Sequence, residues 1–196
     1  MSTEIYYFSG TGNSLHVARE LQKRIPETNL IPIVSLLNKD IIETNGETVG
    51  FVFPVHFTAI PIPVKKFIKK LDLKSTKYVF AIATRIGTPH SAFKYIGKIL
   101  MKKNNRLDSH FTLNMASNDP KFDYKVPTEE EIKKLESVVH NRLDFIQEII
   151  INKEKNQEKD TNITVSVSSL LVKLGNYSAQ SKFRPKHSFF SVNTKN

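Results

Sequence analysis

The sequence contains no cysteine and no hydrophobic run long enough to cross a membrane. Without cysteine, the chain cannot form disulfides, ligate an iron–sulfur cluster or bind a metal through thiolates. A membrane-spanning helix needs about 20 predominantly apolar residues, and no segment approaches that length. The N-terminus also lacks a basic stretch followed by an apolar stretch, so we identify no signal peptide and expect a cytoplasmic protein.

The 196 residues, 39% of them hydrophobic, are enough for one domain with a sizeable core. The formal net charge is +10 and is distributed unevenly. Residues 151–196 carry eight Lys/Arg and three acids, with no acid after residue 160. Such a tail could attract an acidic protein, nucleic acid or a membrane surface, or it is only a solvated lysine-rich surface. Aromatic residues are not interleaved with Lys/Arg in a recognisable motif, which argues against nucleic acid.

Short apolar runs alternate with segments of helical period along the chain. The runs predict five strands, at residues 4–8, 30–34, 48–53, 78–83 and 111–115. Apolar residues three or four apart predict four helices, from Leu15, over 63–71, over 91–101 and from Thr128 to Ile150. Strands that alternate with helices predict an α/β fold with a doubly wound parallel sheet.

Two residues mark element boundaries, and the remaining segments are polar. Pro32 in the second strand predicts an edge position, because proline cannot donate to a neighbouring strand. Thr128 precedes three glutamates and is a candidate cap for the longest helix. Residues 152–162 are polar and are interpreted as a loop, whereas 165–174 fit either a short helix or an added strand.

Residues 9–14, Ser-Gly-Thr-Gly-Asn-Ser, follow the first strand directly and precede the first helix. Gly10 and Gly12 allow a tight turn and a close approach to a ligand. Backbone amides, together with the positive end of the helix, favour an anion. Four residues add uncharged side-chain donors: Ser9, Thr11, Asn13 and Ser14. This pattern predicts a phosphate-binding loop; the alternative is a turn in which Asn13 or Ser14 only caps the helix.

Two common phosphate loops do not match residues 9–14. The dinucleotide fingerprint needs a third glycine where Leu15 stands, and the P-loop needs Gly-Lys-Ser/Thr, which does not occur. The hexapeptide instead resembles the flavodoxin pattern Ser/Thr-x-Thr-Gly-x-Ser/Thr, which binds the phosphate of FMN in that family. The resemblance implies FMN as cofactor and a five-stranded parallel sheet in the order 2-1-3-4-5, with helices on both faces. It also implies a flavodoxin-like domain over residues 1–152, followed by a basic extension or linker over 153–196.

The segment after the third predicted strand is a candidate flavin contact. It contains Pro54, Val55, His56 and Phe57 and is expected at the same edge of the sheet as residues 9–14. His56 or Phe57 could stack on the flavin ring, and the backbone could bond to its heteroatoms. The alternative is a rigid turn bounded by proline, with Phe57 in the core.

The segment after the fourth predicted strand contains Thr84, Arg85, Ile86 and Gly87. The flavodoxin resemblance implies a second flavin contact here, where long-chain flavodoxins are typically acidic. A cation such as Arg85 close to flavin N1/O2 would stabilise the reduced, anionic flavin and raise its reduction potential. The alternative is an exposed arginine on a loop.

Three motifs in combination resemble the flavodoxin domain of the flavodoxin–ferredoxin fusion proteins of anaerobic bacteria and archaea. They are residues 9–14, Pro54-Val55-His56-Phe57, and Met115-x-x-Asn118 after the fifth strand, and the resemblance spans roughly residues 4–150. It adds Asn118 to the cofactor contacts. His56 stands where that family usually has Tyr, and the last motif lacks the family's Pro and Tyr.

The end of the chain is similar to the aromatic and basic linker that leads into the ferredoxin module of those fusion proteins. The cluster cysteines of that module are absent from this sequence. The resemblance therefore implies a ferredoxin-like or other acidic redox protein as the partner, and the basic tail would face it. The sequence predicts no oligomeric state.

Together these patterns predict an FMN-binding electron-transfer protein of flavodoxin type. One alternative is an NAD(P)H-dependent FMN or quinone reductase, and the other is a non-catalytic flavodoxin-like interaction module. We assign no catalytic residue. Four histidines, His16, His90, His110 and His140, lack metal-ligand spacing and are interpreted as surface or helix-face residues.

Overall fold

The computed structural model describes residues 2–56, 59–85, 91–115 and 128–158. These residues belong to the first of the two units into which the chain divides, residues 1–161. The strands are β1 (Thr3–Tyr7), β2 (Thr28–Pro32), β3 (Ile42–Glu43), β4 (Thr48–Pro54), β5 (Leu71–Asp72), β6 (Tyr78–Arg85), β7 (Ser109–Asn114) and β8 (Asn156–Gln157). The helices are α1 (Asn13–Arg24), α2 (Ile62–Lys70), α3 (Ala92–Met101) and α4 (Glu129–Ile151), and a 3-10 helix covers Ile33–Leu36.

Six strands form one parallel sheet in the order β2-β1-β4-β6-β7-β8. Predicted strands 1 to 5 correspond to β1, β2, β4, β6 and β7. Their order in the sheet, β2-β1-β4-β6-β7, is the predicted order 2-1-3-4-5, which is confirmed. Strand β2, which ends at Pro32, lies at one edge of the sheet, as the proline predicts. Strands β3 and β5 form a separate two-stranded parallel sheet.

Strand β8 is a sixth strand that the sequence does not predict. The interpretation of residues 152–162 as a loop is wrong for Asn156–Gln157, which pair with Ser109 and His110. The next residue fastens this edge: the Glu158 carboxylate accepts a hydrogen bond from the N–H of Thr112 at 2.9 Å and forms an ion pair with Arg142 of α4. The predicted domain end at residue 152 falls between α4 and β8.

Helices cover both faces of the sheet because the strands are apolar on both sides, as central parallel strands require. On one face, α1 and α4 bury Val17, Leu21, Leu143 and Ile146 against the sheet. On the other face, α2 and α3 bury Phe67, Ile68, Ile96 and Leu100. Alternate residues of β4 pack on opposite faces of the sheet: Val52 packs in the core under α1 and α4, and Phe51 packs in the core under α2 and α3. We refer below to the α1–α4 face and the α2–α3 face.

Helix α4 begins where the sequence predicts. The Thr128 side chain accepts a hydrogen bond from the N–H of Glu131 at 3.2 Å, and the N–H of Thr128 donates to Glu131 Oε2 at 2.8 Å. This reciprocal capping box satisfies backbone donors that the helix itself leaves unpaired. The predicted cap is therefore confirmed.

Candidate functional site

The parallel strands end at one edge of the sheet, and the candidate site is built there. The last residues of β1, β4, β6 and β7 are Tyr7, Pro54, Arg85 and Asn114. Ligands of open α/β sheets bind outside these carboxyl ends, where helices on opposite faces diverge. Strands β1 and β4, whose crossovers run to opposite faces, are neighbours in this sheet.

The connection from β1 to α1 is a tight turn whose geometry requires glycine. Gly12 has a φ of 103°, in the left-handed region, and is the residue immediately before α1. Its N–H donates to Oγ of Ser9 at 3.2 Å, and its carbonyl accepts from the N–H of His16 at 2.8 Å. Within the described residues no side chain caps α1, and its first turn carries no acid. The positive end of the helix therefore favours an anion at this turn.

The surface of this turn is open, and its chemistry fits a phosphate. Gly10, Thr11 and Gly12 are exposed, and a Cβ added at either glycine would meet no atom within 4 Å. Ser9 and Asn13 are half-buried beside them. The donors are hydroxyls, an amide and backbone N–H groups, with no carboxylate among residues 9–14. This donor set matches what a phosphate ester accepts.

Two buried hydroxyls tie the turn to the end of β6. Ser14 Oγ and Thr84 Oγ1 are 2.8 Å apart, and both residues are almost fully buried. One hydroxyl donates to the other, and the accepting hydroxyl keeps its own hydrogen for a further acceptor. Ser14 and Thr84 are both predicted site residues, but their pairing was not predicted because they are 70 residues apart.

Backbone hydrogen bonds align the segments that follow the four strands. The N–H of Phe8 donates to Val52 O at 2.9 Å, and the N–H of Val55 donates to Thr84 O at 3.0 Å. The N–H of Met115 donates to Arg85 O at 3.0 Å. The segments after β1, β4, β6 and β7 therefore leave the sheet side by side.

His56 lies in a short turn beside an aromatic residue. Its N–H donates to Ala59 O at 3.0 Å, and its carbonyl accepts from the N–H of Ala59 at 2.9 Å. The rings of His56 and Phe8 are 6.3 Å apart at an edge-to-face angle of 74°. His56 retains exposed surface, but the atoms around its ring desolvate it and lower its pKa, so the ring is neutral at pH 7. Phe8 was not predicted as a site residue, although an aromatic at the end of a strand before this turn is a usable signal.

The structure brings most of the predicted site residues to this edge. The residues described there are Ser9, Gly10, Thr11, Gly12, Asn13, Ser14, Pro54, Val55, His56, Thr84 and Arg85. Arg85 is half-buried as the last residue of β6. Four predicted residues, Phe57, Ile86, Gly87 and Asn118, lie outside the described residues.

The described residues contain neither a metal-binding cluster nor a membrane-spanning helix. No three His, Asp or Glu side chains come together in a way that could hold a metal ion. No helix there is both long enough and apolar enough to span a membrane.

The interpretation of His110 as a surface or helix-face residue is wrong, because it lies in β7 and its ring stacks on Phe93 with centroids 4.3 Å apart.

Comparison with known proteins gives similarity of fold without similarity of sequence. No protein-family model matches the chain, and no curated protein sequence matches it. The NAD(P)H:quinone oxidoreductase from Methanothermobacter marburgensis superposes with a TM-score of 0.50 at 9% identity, covering 75% of this chain and 97% of that one. Together with the strand order and the helices on both faces, this similarity confirms the predicted flavodoxin-like fold.

Two other solved structures have lower TM-scores. The two-electron reduced flavodoxin from Megasphaera elsdenii has a TM-score of 0.46 and 16% identity, over 71% of this chain and 98% of that one. The rubredoxin oxygen:oxidoreductase from Desulfovibrio gigas has a TM-score of 0.44 and 13% identity, over 76% of this chain. The matched region is 37% of the length of the Desulfovibrio protein.

Proposed function

We propose that this flavodoxin-like chain binds FMN and transfers electrons between a reduced, ferredoxin-like carrier and a partner protein. The observation that carries the proposal is the open turn between β1 and α1. There, a left-handed Gly12 and an uncharged donor set meet the positive end of a helix at the carboxyl edge of a parallel sheet. The absence of Lys and Arg from residues 9–14 suits a phosphate that is held rather than transferred.

In this proposal the site residues form three groups. The phosphate group is bound by Ser9, Gly10, Thr11, Gly12, Asn13 and Ser14. The flavin ring is contacted by Pro54, Val55, His56 and Phe57 after β4, by Thr84, Arg85, Ile86 and Gly87 after β6, and by Asn118. Bound FMN would supply one- and two-electron transfer, and the chain's own residues would bind it, orient it and set access to it.

Two residues would set the electrostatics around the ring. His56 is neutral at pH 7, so it offers an uncharged ring next to Phe8 and adds no charge of its own. Arg85 would contribute a fixed positive charge at the end of β6, which favours the reduced, anionic flavin. Replacing Arg85 with Ala is therefore expected to lower the flavin reduction potential, and an unchanged potential would place Arg85 away from flavin N1.

Phosphate recognition is tested by titrating the ligand-free protein with FMN and with riboflavin, which lacks the phosphate. FMN should bind at least tenfold more tightly than riboflavin. Gly10→Ala should weaken FMN binding without lowering stability, since the added Cβ meets no protein atom but enters the space assigned to the phosphate. Gly12→Ala should lower both FMN affinity and stability, because its φ of +103° strains any L-residue.

Gly97→Ala on α3 is the matched control, because its Cβ also meets no atom and lies away from the site. It should leave FMN binding unchanged. Equal affinities for FMN and riboflavin, or wild-type FMN binding by both loop variants, would show that this turn does not bind the phosphate.

The same preparation separates the two alternative functions. The similarity to an NAD(P)H:quinone oxidoreductase makes NAD(P)H oxidation the assay to run beside electron transfer from a reduced ferredoxin. Rapid NAD(P)H turnover by the isolated flavoprotein would favour a reductase. Absence of any flavin affinity would favour a non-catalytic interaction module.

A further inference from the structure

The largest concentration of charge in the chain lies in the segment that carries α2 and α3. Residues 62–107 contain twelve Lys/Arg and one acid, a net charge of +11. The whole chain carries +10, so the remaining residues together carry −1. The C-terminal segment 151–196, which has the same length, carries only +5. The basic character of the protein therefore belongs mainly to this folded segment.

Five exposed lysines form what we call the lysine surface: Lys66 and Lys69 of α2, Lys94 and Lys98 of α3, and Lys102 at the C-terminal cap of α3. None of them makes an ion pair or a hydrogen bond in the part of the chain that the structure describes. Neighbouring lysines are engaged, since Lys70 Nζ donates to Lys39 O at 2.8 Å and Lys103 Nζ donates to Leu71 O at 2.9 Å. The lysine surface thus holds positive charge without an internal partner.

The lysine surface surrounds a depression rather than a flat area. The depression has a volume of about 370 Å³ and is lined by Lys69, Tyr95, Lys98, Ile99, Lys102 and Lys103. An adjoining cleft of about 400 Å³ shares Lys69 and Lys103 with it. That cleft also contains two acids, Asp40 and Asp72, of which Asp72 forms an ion pair with Lys74 at 3.1 Å. The charged side chains that line the depression of about 370 Å³ are all lysines. Concave relief with one sign of charge focuses the field on a protruding anionic group.

The stability of the helices explains only part of this charge. Lys69 and Lys98 lie in the last turns of α2 and α3, where a cation interacts favourably with the helix dipole. Lys94 is the third residue of α3, and a cation in the first turn of a helix is unfavourable. Lys66 is the fifth of the nine residues of α2, in the middle of the helix, where the dipole has little effect. Neither helix has an acid in its first turn. The helix dipole therefore disfavours Lys94 and gives no advantage to Lys66.

The lysine surface is connected to the candidate site through the chain itself. The turn that contains His56 leads into α2, and the segment after Arg85 leads into α3. Both helices therefore begin at the carboxyl edge of the sheet. Since an α-helix rises 1.5 Å per residue, Lys94 lies about 5 Å from the start of α3, whereas Lys69, Lys98 and Lys102 lie about 10 to 15 Å from the starts of their helices. A partner seated in the depression therefore has to extend along α3 past Lys94 to reach the edge where the flavin ring is proposed to bind.

We propose that the lysine surface docks an acidic protein, with carboxylates of that partner entering the depression between α2 and α3. The identity of the partner as a ferredoxin-like carrier rests on the proposed function. A nucleic acid is disfavoured because the surface has no arginine and no exposed aromatic ring, Tyr95 being half-buried under Lys65. A membrane is disfavoured because a lipid headgroup plane cannot enter a concave site.

The test measures association of the full chain with two probes, an acidic ferredoxin and poly-L-glutamate, at 50 and 300 mM NaCl. Lys69→Glu/Lys98→Glu should weaken binding of both probes at least tenfold, and salt should weaken wild-type binding. Lys133→Glu/Lys134→Glu is the matched control, since it makes the same charge change at exposed positions of α4. The control should change binding less than twofold. Lys69→Gln/Lys98→Gln keeps the test valid if charge reversal impairs folding.

Equal weakening by both double variants would overturn the proposal, because binding would then follow net charge. Absence of salt-dependent binding to both probes would also overturn it. Vesicles with 30% phosphatidylserine and a DNA duplex are the competing ligands; loss of their binding alone in the lysine variant would assign the surface to them. FMN affinity is measured in parallel, so normal FMN binding without ferredoxin docking refutes this inference and leaves FMN binding standing. Docking without FMN binding refutes the proposed function.

Discussion

Arg24 on α1 and Lys69 on α2 lie on opposite faces of the sheet and show two uses of charge. On the α1–α4 face, the Arg24 guanidinium donates to Glu20 Oε2 at 2.6 Å and to Asp144 Oδ1 at 3.0 Å. The same guanidinium lies 2.8 Å from Nδ1 of His140. On the α2–α3 face, Lys69 has no such partner in the described residues. Charge on the first face joins two helices to each other, whereas charge on the second face is available to another molecule.

The ion pair between Glu20 and Arg24 on the α1–α4 face is largely buried, so it contributes more to stability than an exposed ion pair does. The side chains of Glu20 and Arg24 are only 9% and 16% exposed. Hydrogen bonds from Lys23 and Arg24 lower the pKa of Glu20 to about 2. Such charge-assisted bonds are stronger than exposed ion pairs, and removing one partner leaves the other charge buried. The exposed lysines of the other face contribute little to the stability of the fold.

Removing the central arginine should have the largest effect on stability. Arg24→Ala leaves Glu20 with Lys23 at 2.6 Å and His140 Nδ1 at 3.7 Å, and should lower the free energy of unfolding by about 2 kcal/mol at pH 7. The measurement is urea unfolding of both proteins. Lys69→Ala is the control on the other face and should stay within about 0.5 kcal/mol of wild type. If Arg24→Ala and Lys69→Ala lowered the free energy of unfolding equally, the two faces would not differ in how much their charges stabilise the fold.

The pH dependence of that loss follows from the direction of the Glu20 shift. Its pKa in the folded protein lies below its unfolded value, so its contribution is present above about pH 4.5 and declines as pH falls towards 2. The stability difference between wild type and Arg24→Ala should therefore shrink between pH 5 and pH 3. A stability difference that stays constant between pH 5 and pH 3 would show that its pH dependence does not come from Glu20.

Placing a charge inside the α2–α3 face should have an intermediate effect. Burial against Phe93 lowers the pKa of His110 to about 4, below its unfolded value near 6.5. The stabilisation from neutral His110 is complete above pH 6.5 and is lost as pH falls towards 4. Between pH 7 and pH 5, wild type should lose about 1 kcal/mol more stability than His110→Gln, in denaturant unfolding at each pH. Parallel pH profiles would show that His110 is not desolvated.

Reversing single charges on α3 should have the smallest effect, and its sign should depend on position. Lys94→Glu puts an anion in the first turn and should raise stability by about 0.5 kcal/mol. Lys102→Glu puts an anion at the C-terminal cap of the same helix and should lower stability by a similar amount. Chemical unfolding of the two variants provides the comparison. Changes of the same sign would mean that repulsion among lysines, rather than the helix dipole, dominates.

The main elements of the fold were predictable because their signals are local. Predicted helices over 63–71 and 91–101 agree with α2 and α3 to within one residue at each end. The Thr128 cap was readable because capping chemistry involves residues three apart in sequence. The five main strands were recognisable as short apolar runs between turn residues.

Contacts between distant residues left no such signal. Asn156 and Gln157 are polar, so β8 shows no strand pattern, and its pairing depends on the exposed edge of β7. Arg24 and Asp144 are separated by 120 residues, and either one alone looks like an ordinary helix-surface charge. At the candidate site, the glycine turn was predictable from sequence. The Ser14–Thr84 bond and the edge-to-face contact of Phe8 were not.

The Ser14–Thr84 bond also has a consequence for the order of folding. It joins the first turn of α1 to a residue that leaves the ribosome 70 positions later. Thr84 reaches its place only when β6 has paired with β4, a non-local step that costs loop-closure entropy. A nascent chain shorter than about 84 residues can form the turn between β1 and α1 but cannot form the Ser14–Thr84 hydrogen bond. Affinity for a phosphate ligand should therefore arise late in synthesis and report on assembly of the central sheet.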